Sequence, residues 1–306
     1  MNLSIVIPLF NEEESLIELT EKITRVVENL KISYELYYID DGSTDNSLNV
    51  LKQLRDKNSH IKLLSFRRNS GKSAALSEGF KIVTGDIVIT MDADLQDDPG
   101  EIPALIEKIN SGCDLVSGWK KKRYDPIQKT IPSKLFNFIT SVLTGLKIHD
   151  INCGLKAYRR EVIKEIPVYG ELHRYLPVLA HWRGFKVDEI IVKHHPRKHG
   201  KTKFGLERFF NGFFDLLTVL FLTRYRQKPL HLFGYFGLFS FLSGFGISIY
   251  LTILWLQGQG IGQRPLLFLG ILLIIVGIQS FSIGLIGEMI TNIKDEKYTY
   301  SLKEKL

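Results

Sequence analysis

Two long apolar stretches near the C-terminal end, Leu230–Leu256 and Leu266–Gly287, constrain this chain more than any other feature. Each meets the roughly 20-residue length that an α-helix needs to cross a bilayer. A core helix of that length carries a polar face, and neither stretch does. Only the short polar segment Gln257–Pro265 separates them, so the pair reads as a transmembrane hairpin. Gly258, Gly260 and Gly262 follow no strand pattern and mark a flexible turn, not a phosphate-binding loop. Arg224, Arg226 and Lys228 precede the first span, Lys294, Lys297, Lys303 and Lys305 follow the second, and the turn holds only Arg264. That asymmetry predicts both termini in the cytoplasm. Small residues recur at Ser240, Gly244 and Ser248 and at Gly270, Gly277 and Gly284, which allows close packing of one hairpin or of a homo-oligomer.

Upstream of Lys228 the chain reads as an ordinary globular protein, since hydrophobic residues are 44% and charged residues 24% overall. The net charge of +7 asks for an anionic partner. An anionic lipid bilayer satisfies it, and no nucleic-acid motif is present. Met1-Asn-Leu-Ser lacks the basic start and cleavage site of a signal peptide. Cys113 and Cys153 have no metal-ligand spacing and read as reduced cytosolic thiols.

Leu3–Leu9, Tyr34–Ile39, Ile61–Phe66, Asp86–Met91 and Asp114–Gly118 read as buried strands. Helices fall between them. The first opens on the acidic run Asn11–Glu14 and sets Leu16, Leu19, Ile23 and Val26/Val27 on one face. Others run from about Asn46 to Asp56, from Ser73 to Val83, and from a cap at Asp98-Pro99 to Ile109. This alternation predicts an α/β domain with a parallel sheet covered on both faces. Ligands of such sheets lie beyond the carboxyl ends of the strands, and the acidic motifs fall there.

Asp92-Ala-Asp94, with Gln96, leaves the fourth strand. Two carboxylates and an amide carbonyl form an all-oxygen set suited to a hard cation, Mg²⁺ or Mn²⁺, on a diphosphate. The two acids either share one metal or divide metal and ribose between them. Asp40-Asp-Gly-Ser43 ends the second strand and offers acceptor oxygens to ribose hydroxyls or base. Pro8-Leu-Phe10-Asn-Glu12 ends the first and would wall the base pocket.

These pieces resemble the family 2 glycosyltransferases of the GT-A, Rossmann-like fold. More narrowly the chain is similar to the polyisoprenyl-phosphate glycosyltransferases, which include dolichol-phosphate mannose synthases and undecaprenyl-phosphate glucosyltransferases. The matching segments are Ser4–Glu13, Asp40–Ser43, Asn69–Lys72, Asp92–Asp97, Asp150–Arg159, Gly200–Lys203 and Ile283–Glu288. The resemblance implies metal coordination by Asp92, Asp94 and Gln96, and nucleotide contacts by Pro8, Phe10, Glu12 and Asp40. It departs in two places. Phe10 stands where Tyr is common, and Trp119-Lys-Lys-Lys-Arg123 replaces an arginine-led segment.

The resemblance implies a nucleotide-sugar donor and a polyisoprenyl phosphate acceptor, with inversion. Such an acceptor needs no strong base, because a phosphate monoester with a second pKa of about 6 is already largely a dianion. It needs cations. Two basic clusters supply them, Lys120–Arg123 with Lys129 and Lys134, and Arg197, Lys198, Lys201 and Lys203. Arg123 and Lys203 are the candidates for the reacting phosphates. His194, His195 and His199 lack the cysteine neighbours of a zinc site and suit phosphate or headgroup contact. Lys134–Leu146 gathers Leu135, Phe138, Ile139, Val142, Leu143 and Leu146 on one face, and Phe204–Tyr225 is rich in Phe and Leu. Both read as interfacial helices. The expected layout is a catalytic domain over 1–203, interfacial helices over 204–228, two spans over 229–290 and a cytoplasmic tail over 291–306. UDP-glucose is the first expectation for the donor, then GDP-mannose, then UDP-N-acetylhexosamine. A processive polysaccharide synthase would carry Gln-x-x-Arg-Trp, which Ala180-His-Trp-Arg-Gly184 is not. A nucleotidyltransferase would carry a glycine-rich loop after the first strand, where Phe10–Glu14 stands instead. An inactive membrane scaffold would have no use for the intact Asp92, Asp94 and Gln96.

Overall fold

A computed structural model of the chain describes residues 2–121, 137–196, 198, 207–221, 225, 228–262 and 264–293. It divides into two compact units, one ending at Val219 and the other starting at Leu220.

The first unit is built on a seven-stranded sheet. Its strands are β1 (Asn2–Leu9), β2 (Ser33–Asp40), β3 (Ile61–Ser65), β4 (Ile87–Thr90), β5 (Leu115–Trp119), β6 (Lys156–Arg159) and β7 (Val187–Ile191). The order is β3-β2-β1-β4-β6-β5-β7. β1 runs parallel to β2 and β4, β2 to β3, and β5 to β7. β6 is antiparallel to both of its neighbours, β4 and β5. The sheet is therefore mixed, not parallel throughout as the strand–helix alternation suggests. Lys-Ala-Tyr-Arg is too short and too basic to register as a strand, yet Ala157 and Tyr158 are fully buried.

Four helices follow the first four strands: α1 (Leu16–Asn29), α2 (Ser47–Lys57), α3 (Lys72–Ile82) and α4 (Ile102–Asn110). Two short ones, α5 (Arg160–Glu165) and α6 (Leu176–Trp182), come later. α1 starts after the acidic run, not within it. Asn11 has a positive φ of 57° and breaks the chain into a turn, so Glu12–Glu14 precede the helix. Leu16, Leu19, Ile23 and Val27 then pack in the core with Leu3, Ile5, Ile7 and Ile89. Asp98 caps the turn before α4 as expected, its Oδ1 accepting the Gly100 N–H at 2.8 Å.

Residues 137–144 form a helical segment with its polarity inside out. Asn137, Thr140 and Thr144 are buried, while Phe138 and Val142 are 67% and 65% exposed and Ile139 and Leu143 are exposed beside them. Asn137 is held inside by donating to the His149 carbonyl at 3.0 Å. Leu146, expected on the same face, is buried instead. In α7 (Glu207–Leu220), Phe214 and Leu217 face outward while Leu216 and Val219 are buried.

The second unit is a hairpin of α8 (Pro229–Leu256) and α9 (Pro265–Ile293), 28 and 29 residues long. At 1.5 Å per residue either exceeds the roughly 30 Å of a hydrocarbon core. The seam between them is made of small residues. A Cβ on Gly237 would come 2.7 Å from the Gly277 carbonyl oxygen, and one on Gly244 would come 2.6 Å from that of Gly270. The small-residue spacing thus serves the hairpin itself, by letting two backbones touch. Gly277→Leu should therefore drive the helices apart, at a cost of roughly 1–3 kcal/mol for overpacking. Gly246, with nothing within 4 Å, should accept Leu. Thermal unfolding of the two variants in detergent checks this: Gly277→Leu is expected to melt lower, and equal midpoints would contradict the packing described.

Candidate active site

β4 ends at Thr90, and Met91 leads directly to Asp92. Because β6 is antiparallel, it begins beside the point where β4 ends, and Thr90 pairs with Lys156. The loop before β6 is thereby brought onto Asp92. Thr90 Oγ1 donates to the Gly154 carbonyl at 2.9 Å and fixes that loop. A Cβ on Gly154 would lie 2.4–2.8 Å from the Asp92 carboxyl atoms, so only glycine leaves room for the side chain. Asp92 also forms an ion pair with Lys72, the first residue of α3. Asp41 at the end of β2 sets the position of that lysine. Its Oδ1 accepts the Ser70 N–H at 2.7 Å and its Oδ2 the Gly71 N–H at 2.8 Å.

The surroundings are cationic. Burial by itself would push the Asp92 carboxyl up, but the Lys72, Lys120 and Lys156 ammoniums hold it well below the usual carboxylate range. Lys156 is 3% exposed and donates to the Cys153 carbonyl. Its burial pulls the ammonium down to a pKa of about 8. Lys120 is partly buried, but Asp97 lies 2.7 Å away and keeps it charged, its pKa raised against the effect of burial. His173 is pulled down to about 2, by burial first and then by Lys72 and Arg174, so its ring is neutral. Its backbone N–H donates to Ser73 Oγ at 3.2 Å, and the same hydroxyl lies within hydrogen-bond distance of Nδ1, at 2.9 Å. Pro8, Lys72, Asp92, Lys156 and His173 line one small cavity.

Asp94 and Gln96 flank Leu95, a buried leucine at a positive φ of 62°. That conformation costs on the order of 1–2 kcal/mol and turns the chain sharply, so that the Gln96 N–H donates to Asp94 Oδ1 at 3.2 Å. The histidine segment clamps this loop. The His195 N–H donates to the Gln96 carbonyl at 2.8 Å, His195 Nε2 lies 3.2 Å from Asp98 Oδ2, and His194 bridges to Asp97. His194 and His195 thus hold the acidic loop. Among the described residues no three His, Cys, Asp or Glu side chains converge on a metal position. The expected donors, the Asp92 and Asp94 carboxylates and the Gln96 amide, are all oxygens, a donor chemistry that suits Mg²⁺ or Mn²⁺, and Gly154 lies close against the Asp92 carboxylate.

The nucleotide candidates are placed unequally. Pro8 is buried at the end of β1, Phe10 and Glu12 are half-buried beyond it, and the Glu12 N–H donates to Ser47 Oγ at 3.0 Å. Asp40 is 1% exposed and braces its own turn, accepting from the Ser43 N–H at 2.9 Å and the Ser65 hydroxyl at 2.7 Å. Arg123 and Lys203 lie outside the described residues. Of their clusters, Lys120 is committed to Asp97, Lys121 sits over the Trp119 ring and Lys198 pairs with Glu18. Sequence reasoning overlooked Lys72, Lys156 and His173. The first two lie inside matched motifs, Lys72 directly after Gly71 and Lys156 two residues after Gly154, and could have been noticed there. Nothing in the sequence marks His173.

A mixed sheet of this order, with an acidic pair leaving β4 into a cationic cleft, defines a GT-A sugar-transferase domain. The model of glycosyl transferase family 2 matches residues 4–167, and that of the GtrB C-terminal hairpin matches residues 228–293. The chain belongs to glycosyl transferase family 2. It is 36% identical over 301 residues to the dodecaprenyl-phosphate galacturonate synthase of Rhizobium johnstonii, covering 95% of this chain and 88% of that one. Crystal structures of glucosyl-3-phosphoglycerate synthase from Mycobacterium tuberculosis share the fold. The complex with Mn²⁺, UDP-glucose and phosphoglyceric acid aligns with a TM-score of 0.54 at 21% identity, over 72% of this chain and 79% of that one. The complex with Mn²⁺, UDP and phosphoglyceric acid aligns with a TM-score of 0.53 at 20% identity, over 72% and 78%.

The buried Lys156 makes a pH prediction. Below about pH 8 the group is charged in folded and unfolded chains alike, and its burial cost is fully present. As pH rises through 8, the folded chain gives up the proton first and the cost is relieved. Melting temperature relative to Lys156→Met should therefore rise from pH 7 to pH 9. A flat difference between the two proteins over that range would contradict it.

Proposed function

We propose that the chain transfers one sugar, with inversion, from a nucleotide-sugar to a polyisoprenyl phosphate at the cytoplasmic face of a membrane. The observation that carries this reading is Asp92, beside Asp94 at the carboxyl end of β4 and surrounded by lysine ammoniums. Such a site receives a diphosphate and a second phosphate while keeping an oxygen face for a cation. The GtrB-type hairpin and the lipid-phosphate acceptor named for the Rhizobium relative support a membrane lipid as acceptor.

In this reading an acceptor phosphate oxygen forms a bond to the anomeric carbon. The bond from that carbon to the diphosphate breaks, and its electron pair leaves with the nucleoside diphosphate. Asp92, Asp94 and Gln96 would hold a divalent cation, which supplies charge neutralisation for the leaving diphosphate. Pro8, Phe10, Glu12 and Asp40 form the nucleotide end. Lys72 and Lys156 add positive potential from beneath, and Arg123 and Lys203 serve the phosphates. The donor set comprises UDP-glucose, GDP-mannose and UDP-N-acetylhexosamine, and to these we add a nucleotide-linked galacturonate, because galacturonate is the sugar in the relative's name.

The layout follows as a proposal. Residues 1–203 carry catalysis, 204–228 lie along the interface, 229–290 span the bilayer and 291–306 return to the cytoplasm. The inside-out segment over 137–144 supports lipid contact, because a bilayer or its headgroup boundary would bury the exposed Phe138 and Val142.

The direct test gives detergent-purified protein an undecaprenyl phosphate and each of the four nucleotide-sugars, and reads lipid-linked sugar and released nucleoside diphosphate. One donor should give both products, EDTA should stop the reaction, and Asp94→Asn should lower kcat roughly tenfold or more, equivalent to at least ~1.4 kcal/mol. Absence of product with every donor would favour an inactive scaffold, and full turnover in EDTA would remove the metal.

A second test addresses the interface. Phe138→Ser with Val142→Ser should lower kcat/KM for a long-chain polyprenyl phosphate roughly tenfold, about 1.4 kcal/mol, a fraction of the ~1.5–3 kcal/mol that each such side chain contributes at full burial. A short-chain, water-soluble prenyl phosphate should be used as before. Equal losses on both acceptors would assign these side chains to the fold.

A further inference from the structure

Lys72 occupies the place where the proposed reaction needs a cation. Its ammonium is paired with Asp92, one of the oxygen donors assigned to the metal. The pairing is built in at both ends. Asp41 fixes the backbone at Ser70 and Gly71 immediately before Lys72, through bonds of 2.7 and 2.8 Å. Gly154 lies close against both oxygens of the Asp92 carboxylate, including the one paired with Lys72, and the Thr90 hydroxyl donates to the Gly154 carbonyl at 2.9 Å. Lys156 adds a second ammonium to the same cavity, bonded to the Cys153 carbonyl.

We propose that Lys72 and a divalent cation compete for Asp92, so that the site takes up the cation together with a nucleoside diphosphate and not before it. This rests on the metal-dependent transferase reading above. A cation arriving alone meets two ammoniums at close range in a half-buried site, where like charges repel more strongly than in water. A diphosphate arriving with it brings several negative charges and gives Lys72 a new partner. Lysine suits this exchange, because its charge is a point on a flexible four-carbon stem that can swing between acceptors. Asp92 is thus kept neutralised in the empty enzyme and becomes available as the donor binds. Lys72 acts as a positioning residue for the cation.

The test is Mn²⁺ binding by the full chain in detergent, read from the electron paramagnetic resonance signal of free Mn²⁺, with UDP or GDP or with neither. Wild type should bind Mn²⁺ at least tenfold more tightly with one of the nucleotides than without. Lys72→Met should raise the nucleotide-free affinity about tenfold and shrink that enhancement, and Lys72→Arg should restore the wild-type pattern. Lys81→Met, which removes an exposed pair with Glu78 on the same helix, should change neither value. If Lys72→Met leaves nucleotide-free affinity unchanged or lowers it while Mn²⁺ still binds with nucleotide, the competition is wrong and the metal site stands. If neither protein binds Mn²⁺ under any condition, the metal-dependent reading fails and this proposal falls with it.

Discussion

A single antiparallel strand organises the site. β6 is inserted between β4 and β5 against the direction of both, so it starts where β4 stops. That reversal delivers Gly154 and Lys156 to Asp92, although some sixty residues of chain separate them. A strand parallel to β4 would begin at the far end of the sheet, and its approach loop would lie a strand length away. The hydrogen bond from Thr90 to the Gly154 carbonyl closes the arrangement, because it joins the last residue of one strand to the loop feeding the other.

The charge distribution follows from that placement. Three lysines act on one carboxylate, and each is held differently. Lys72 pairs with Asp92 directly, Lys120 is neutralised by buried Asp97, and Lys156 has a backbone carbonyl as its bonded partner. Burying an ammonium is costly unless something offsets it. The fold tolerates Lys156 here, and the same ammonium adds attraction for phosphate groups. A site meant for two anionic substrates needs such an excess, since their mutual repulsion grows as water is excluded.

Two apolar surfaces of different origin complete the protein. In the hairpin, small residues face each other at Gly237, Gly244, Gly270 and Gly277, and large ones such as Tyr235, Phe239 and Phe268 face outward. Lipid offers no reason for large side chains to hide, so close backbone contact decides the packing. Residues 137–144 use the same inversion outside the hairpin, with Thr140 and Thr144 inside and Phe138 and Val142 outside. In water that arrangement would be unfavourable, and against lipid it is not.

Much of this was legible in the sequence. Hydrophobic period and length located the first five strands, the helices between them and both apolar helices, because these signals are local. The acidic pair and its place at a strand end were legible for the same reason, as was the outward face of Phe138 and Val142. The start of α1 was not, since a positive φ at Asn11 overrides the helix-favouring acids that follow. Nor was the direction of β6, whose four residues carry no period of their own and take their place from backbone pairing with β4. Lys72, Lys156 and His173 became site residues only through the fold. A lysine far along the chain acquires a role when strand order sets its ammonium beside a carboxylate, and charge interactions depend on distance in space. The sequence by itself determined a sheet domain ending in acidic turns, followed by an apolar hairpin. The tertiary structure alone decided which cations share the cavity with Asp92, because only strand pairing brings residues 72, 92 and 156 within electrostatic reach of one another.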